Sequence, residues 1–141
     1  MANSLELKDA KDFEVTMLEY LNSHSLQSFS KRKVNISGVS FEFDLVSADD
    51  KIIGDAKFFK NISVPAAKWD NISYYVWLLQ NTEARIKFLV FGKDIEVPER
   101  YLKRYEPLIS DVEFYFFENN TLNPIDKHKE HKLMAILQTN Q

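Results

Sequence analysis

The chain contains no cysteine, which excludes disulfides, thiolate metal sites and a cysteine nucleophile, and fits a reducing compartment. Glycine and proline are scarce as well, at 3 and 4 residues of 141, and no flexible linker, repeat or low-complexity tract interrupts the sequence. No apolar run approaches bilayer length, and the opening stretch MANSLELKDAKDFEV has neither a basic start nor an apolar segment of the kind that directs secretion. These absences predict an intracellular protein with no membrane span, in which the N-x-S/T matches at Asn35, Asn61, Asn71 and Asn119 have no use as glycan acceptors. Positive charge is not in excess either. A formal net charge of -3 argues against a surface coated in basic residues for non-specific nucleic-acid binding. Local groups remain, at Lys31, Arg32 and Lys33, at Lys57, Lys60 and Lys68, and at Arg100, Lys103 and Arg104; the simpler reading of each is a solvated face.

What the chain does have is core material: 45% hydrophobic residues, with 11 Phe, 6 Tyr and 2 Trp, enough for one globular domain. Phe13, Met17, Tyr20 and Leu21 recur at helical spacing and predict a first helix over about residues 5 to 22. Three strands follow: a polar one ending near Ile36, a second at about 39 to 47 after Ser37-Gly38, and a third at about 51 to 59 beyond a tight turn. Trp69, Ile72, Val76 and Leu79 mark a helix over about 66 to 81, and RIKFLVFG reads as an interior strand. Pro98 and Glu99 open a short helix that Pro107 ends, DVEFYFFE is a further strand, and Asn123-Pro124 is expected to cap a last helix over about 124 to 138. The order α-β-β-β-α-β-α-β-α predicts an α/β protein, a mixed sheet with helices packed against it.

The chemistry concentrates in the predicted hairpin FEFDLVSADDKIIGDAKFF. Alternate side chains on a strand share a face, so Asp55 and Lys57 project together. If Asp49 and Asp50 form a two-residue loop, Asp44 lies opposite Asp55, with Cβ atoms about 5 Å apart. Two carboxylates that close repel, and burial without a proton or cation between them is costly. A divalent ion resolves the conflict, and hard oxygen donors suit Mg²⁺ or Mn²⁺. Lys57 is then placed to orient a nucleophile or to stabilise developing negative charge. On the first helix, at about 100° per residue, Glu14 falls on the apolar face while Glu19 points away. Glu14 is therefore an inward acid, and a metal held by Asp44 and Asp55 is a suitable partner for it.

These residues carry a resemblance. Phe13-Glu14 on a helix, FEFDLV on a strand, IIGDAKFF on the next and then a helix and a strand resemble the PD-(D/E)XK nuclease superfamily, with its restriction-endonuclease-like fold, and most of all its Holliday-junction-resolvase and Mrr-like branches. The likeness runs over residues 5 to 118 in element order, although few positions are motif residues. It implies Mg²⁺- or Mn²⁺-dependent hydrolysis of nucleic-acid phosphodiesters, with DNA as the partner, and a homodimer where two strands are cut. Asp44 takes the place of the first metal-binding Asp, Asp55 that of the second acid, Lys57 that of the motif lysine and Glu14 that of the acid on the first helix. Lys33, Lys60 and Lys68 become candidate nucleic-acid contacts. Phe43 stands where the motif's proline often precedes the first Asp, and Gln80 is followed by Asn81-Thr82-Glu83-Ala84, which lacks the RecB-like QxxxY.

The competing reading is a binding or assembly subunit that keeps the nuclease fold without catalysis. Residue by residue, the plain alternatives are a hydrogen-bonded strand end for Asp44, a salt bridge for Asp55 with Lys57, and a lysine partner for Glu14. His128 and His131 are expected on a solvated helical face. Trp69, Tyr74, Tyr75 and Trp77 are either core or base-stacking residues, and the Phe-rich strand at 114 to 117 is core or a dimer contact.

Overall fold

The computed structural model describes residues 9–59, 65–126 and 129–137. Helix α1 (Ala10–His24) begins where Asp9 accepts the backbone N–H of Asp12 at 3.0 Å, and it buries Phe13, Met17 and Leu21 at four-residue intervals. The part of the expected first helix before residue 9 lies outside the described residues. Strands β1 (Phe29–Ile36), β2 (Val39–Ser47) and β3 (Ile52–Phe59) follow, then α2 (Pro65–Gln80), β4 (Ile86–Lys93) and α3 (Glu96–Tyr105). After a 3₁₀ turn at Glu106–Leu108 come β5 (Val112–Glu118), β6 (Thr121–Pro124) and α4 (Lys132–Ile136).

The six strands form one mixed sheet in chain order, β1 to β6. β1, β2 and β3 are antiparallel and joined by short turns, as are β5 and β6. β3, β4 and β5 are parallel, which requires the crossovers that α2 and α3 supply. β4 is buried on both faces from Ile86 to Gly92, as its unbroken apolar run predicts. Helices α2 and α3 cover one face, where Ile72, Val76 and Tyr101 pack on Ile53, Leu89 and Phe114. Helices α1 and α4 cover the other, where Phe13, Met17 and Leu133 meet Phe88, Val90 and Tyr115. The result is an α/β architecture of three layers. Phe114, Tyr115 and Phe116 are buried in it, so the aromatic strand is core. Among the described residues, no helix is long and apolar enough to cross a membrane.

The C-terminal segment departs from the sequence expectation. Asn119 and Asn120 both adopt positive φ, 55° and 59°, in a two-residue turn between the paired Glu118 and Thr121. Asparagine tolerates that left-handed conformation, and such a turn matches strand twist. The chain therefore returns as β6. Asn123, expected as a helix cap, pairs with Phe116, and Pro124 sits on the edge strand opposite Tyr115, where a missing N–H is tolerated. The last helix is only Lys132–Ile136. Its first amides are held from β5: the Glu113 carboxylate accepts Lys132 N and Leu133 N at 3.0 Å each, and also the Tyr115 hydroxyl at 2.6 Å. His131 thus precedes the helix, with Nε2 3.0 Å from the Asp126 carboxylate, while His128 lies outside the described residues. Helix α3 also starts earlier than expected, at Glu96, with Pro98 inside its first turn.

Candidate active site

The β2–β3 turn is tied by its own side chains. Ser47 Oγ donates to Asp49 Oδ1 at 2.7 Å and accepts the Ile52 N–H at 3.0 Å, while Asp49 also accepts Lys51 N and Asp50 takes φ 62°. This fixes the register at Val46↔Ile53 and Leu45↔Gly54. One pair further along stand Asp44 and Asp55, the expected juxtaposition, although the turn between the strands spans the four residues 48–51 and is not a two-residue loop of Asp49 and Asp50. There the backbone ladder gives way to side chains. Asp55 Oδ1 accepts Asp44 N at 2.9 Å, and Asp44 Oδ2 accepts Ala56 N at 3.2 Å.

A bulge on the other edge of β2 explains the change. β1 pairs Ser30 with Val46 but Arg32 with Phe43, so Asp44 and Leu45 together face the single residue Lys31. An extra residue bends a strand and redirects its side chains. Here it turns Leu45 into the α1 side of the core and Phe43 into the α2 side, leaving Asp44 at the parting between β2 and β3. Gly54 lets the Phe88 ring of the neighbouring β4 pack directly against β3 at this point. A Cβ there would lie 2.4 Å from the buried Phe88 ring, a position that only glycine fits.

The parting opens into a cleft of about 370 Å³ lined by Glu14, Lys31, Glu42, Asp44, Asp55, Lys57 and Tyr75, among others. Lys57 Nζ is 2.9 Å from Asp55 Oδ2 and 3.3 Å from the centre of the Tyr75 ring. Both charged residues are nearly dry, with Asp55 4% and Lys57 7% exposed. On the other side of the cleft, Lys31 Nζ is 3.2 Å from Glu14 Oε1 and 3.7 Å from Asp44 Oδ1.

Burial is the main influence on all three central groups. It raises the Asp44 pKa to about 7, helped by the neighbouring Asp55 charge. It raises Asp55 against the opposing pull of Lys57, and it lowers Lys57 against the opposing pull of Asp55. The Tyr75 hydroxyl, partly buried and facing these carboxylates, is pushed up to about 12 and stays protonated.

The structure thus brings together Glu14, Asp44, Asp55 and Lys57. Lys33 lies on the same face of β1 as Lys31, opposite Glu42, and is exposed outside the cleft. Lys68 on α2 sits with Nζ 6.0 Å from the Phe59 ring, further along the strand face that carries Asp55 and Lys57. Lys60 lies outside the described residues. Of the α2 aromatics, Trp69 and Tyr75 turn inward, whereas Tyr74 and Trp77 are exposed. Two cleft residues, Lys31 and Tyr75, escaped the motif reading. Lys31 was visible only as one of a basic trio, and Tyr75 only as one of four aromatics.

Among the described residues, no group of three His, Cys, Asp or Glu side chains is arranged to hold a metal ion. The donors nonetheless suit Mg²⁺ in a more open form, since that ion commonly takes one or two protein carboxylates and keeps several waters. The ammonium of Lys31 between Glu14 and Asp44 also marks a position where positive charge is accommodated. No protein-family model, no curated protein and no solved structure matches this chain.

Proposed function

We propose that the cleft hydrolyses phosphodiester bonds of nucleic acid, most simply DNA, with Mg²⁺ or Mn²⁺. The observation that carries this reading is the buried Asp55–Lys57 pair on the Tyr75 ring with Asp44 held opposite, an arrangement costly to keep dry unless it serves chemistry. Asp44 and Asp55 would hold the ion, with Glu14, which lines the same cleft, assisting directly or through water. When bound, the ion supplies Lewis-acid charge to the phosphate and acidifies a water. Lys57 is held at a fixed point by Asp55 and Tyr75; as the neutral amine, which burial favours, it can take a proton from the attacking water, and as the ammonium it can face the developing phosphate charge. Lys33, Lys60 and Lys68 are assigned to the nucleic-acid backbone, and a homodimer would place two such clefts on two strands. A nucleic-acid substrate fits an intracellular site of action.

The test is cleavage of labelled duplex, single-stranded, flapped and four-way-junction DNA with Mg²⁺ or Mn²⁺, with wild type beside Lys57→Ala and Asp55→Ala. Cleavage that both substitutions and EDTA abolish supports the reading; wild-type inactivity, or equal cleavage by the variants, overturns it. The ion pairs that Lys31 and Lys57 already make with Glu14, Asp44 and Asp55 favour one competitor, a nucleic-acid-binding or assembly subunit that retains the fold. Binding of DNA without cleavage and without Asp55-dependent Mn²⁺ uptake would establish that competitor instead.

A further inference from the structure

Two ammonium groups enter the cleft, and they are held very differently. Lys57 is 7% exposed, clasped between Asp55 and the face of Tyr75, and has nowhere to go. Lys31 reaches in from the bulged edge of the sheet with 39% of its side chain exposed, so its flexible stem can carry the charge out to water. Its ammonium lies between Glu14 and Asp44, among oxygens that a divalent ion bound at Asp44 and Asp55 would also attract. A divalent ion and an ammonium a few ångströms apart repel each other, so both cannot keep these contacts.

We infer that Lys31 is a tethered cation that occupies the metal-free cleft and is displaced when a divalent ion binds, which sets the metal affinity of the site. This rests on the metal-dependent reading above. Without an ion, Lys31 offsets the repulsion between Glu14 and Asp44 and keeps both acids facing inward. With an ion, that task passes to the metal and Lys31 swings to the cleft mouth. Lys31 is therefore a positioning residue whose removal should improve metal binding, opposite in sign to the loss that follows when a purely supporting residue is removed.

The experiment is Mn²⁺ titration followed by the electron paramagnetic resonance signal of free Mn²⁺, at fixed pH and ionic strength and without nucleic acid. Wild type is compared with Lys31→Gln, Lys31→Ala, Lys31→Arg, Asp55→Ala and Lys33→Gln, with folding checked by circular dichroism. Lys31→Gln and Lys31→Ala should bind Mn²⁺ about 3- to 10-fold more tightly. Lys31→Arg should match wild type, Lys33→Gln should change affinity by less than about twofold because its exposed charge is screened, and Asp55→Ala should lose the site. If Asp55→Ala abolishes binding but Lys31→Gln binds as wild type or more weakly, the role of Lys31 is overturned while the metal site stands. If no protein shows Asp55-dependent binding, the metal site itself is overturned, and the role of Lys31 with it.

Discussion

Asp55 accepts the backbone N–H of Asp44 at 2.9 Å, at the place where the β2–β3 ladder would otherwise make its next backbone bond. One carboxylate thus does three things: it ties two strands together, holds Lys57 at 2.9 Å and faces the cleft. Its loss leaves Lys57 buried without a counter-charge and a strand amide without an acceptor.

Asp55→Ala should therefore destabilise the fold by about 3 kcal/mol. Asp55→Asn, which keeps an acceptor, should cost less, and the double variant Asp55→Asn/Lys57→Met should be more stable than Asp55→Asn alone, because no unpaired charge remains buried. Urea unfolding at constant m-value checks both expectations; additive losses in the double variant would show that the pair is not coupled.

Asp44 gives the metal-free protein a pH dependence of unusual sign. Its folded-state pKa of about 7 lies above the ordinary value of 3.8, so between these limits the native state holds a proton that the unfolded chain releases. That contribution is fully present below about pH 4 and is lost as pH rises through about 7; it is on the order of 2 kcal/mol after allowance for solvent screening. Stability should fall from pH 4 to pH 7 by this component, Asp44→Asn should flatten that part of the curve, and saturating Mg²⁺ should recover the loss. Thermal unfolding across this range, with and without metal, measures it.

Gly54→Ala should disturb the site from behind. The added methyl meets the Phe88 ring at 2.4 Å, and that ring is fully buried, so neither side can yield cheaply. A loss of about 1–3 kcal/mol is expected, with partial recovery in Gly54→Ala/Phe88→Leu. Equal stability of Gly54→Ala and wild type in urea would show that β3 shifts to absorb the methyl.

Tyr75 should matter through its ring and not its hydroxyl. The Lys57 ammonium lies 3.3 Å from the ring centre. Tyr75→Phe should keep cleavage within about twofold of wild type, whereas Tyr75→Leu should lower it about tenfold by releasing Lys57. Single-turnover cleavage of the preferred DNA distinguishes them, and equal rates for the two variants would remove the ring from the site.

Short-range rules made much of this molecule legible. The apolar run of β4 marked it as interior, and Phe13, Met17 and Leu21 marked the buried face of α1. The C-terminal misreading came from asparagine, which serves both helix caps and left-handed turns. At Asn119-Asn120 the turn prevailed because a neighbouring strand, β5, was there to pair with, something no local window contains. Likewise the sequence offered no sign that Glu113 would hold the first amides of α4 from β5.

The candidate site divides in the same way. Strand alternation and a turn centred on Asp49-Asp50, both local, were enough to place Asp55 beside Lys57 and Asp44 opposite even though the turn is longer than two residues, and helical periodicity was enough to turn Glu14 inward. What only the tertiary structure decided is what surrounds them. The bulge that sets Lys31 against Asp44 depends on how β1 registers against β2, and the ring under Lys57 depends on how α2 docks on β3. A one-residue slip in the first or a small rotation in the second would change both neighbours, and those are choices made by packing across the sheet, where the energy depends on residues far apart in the chain.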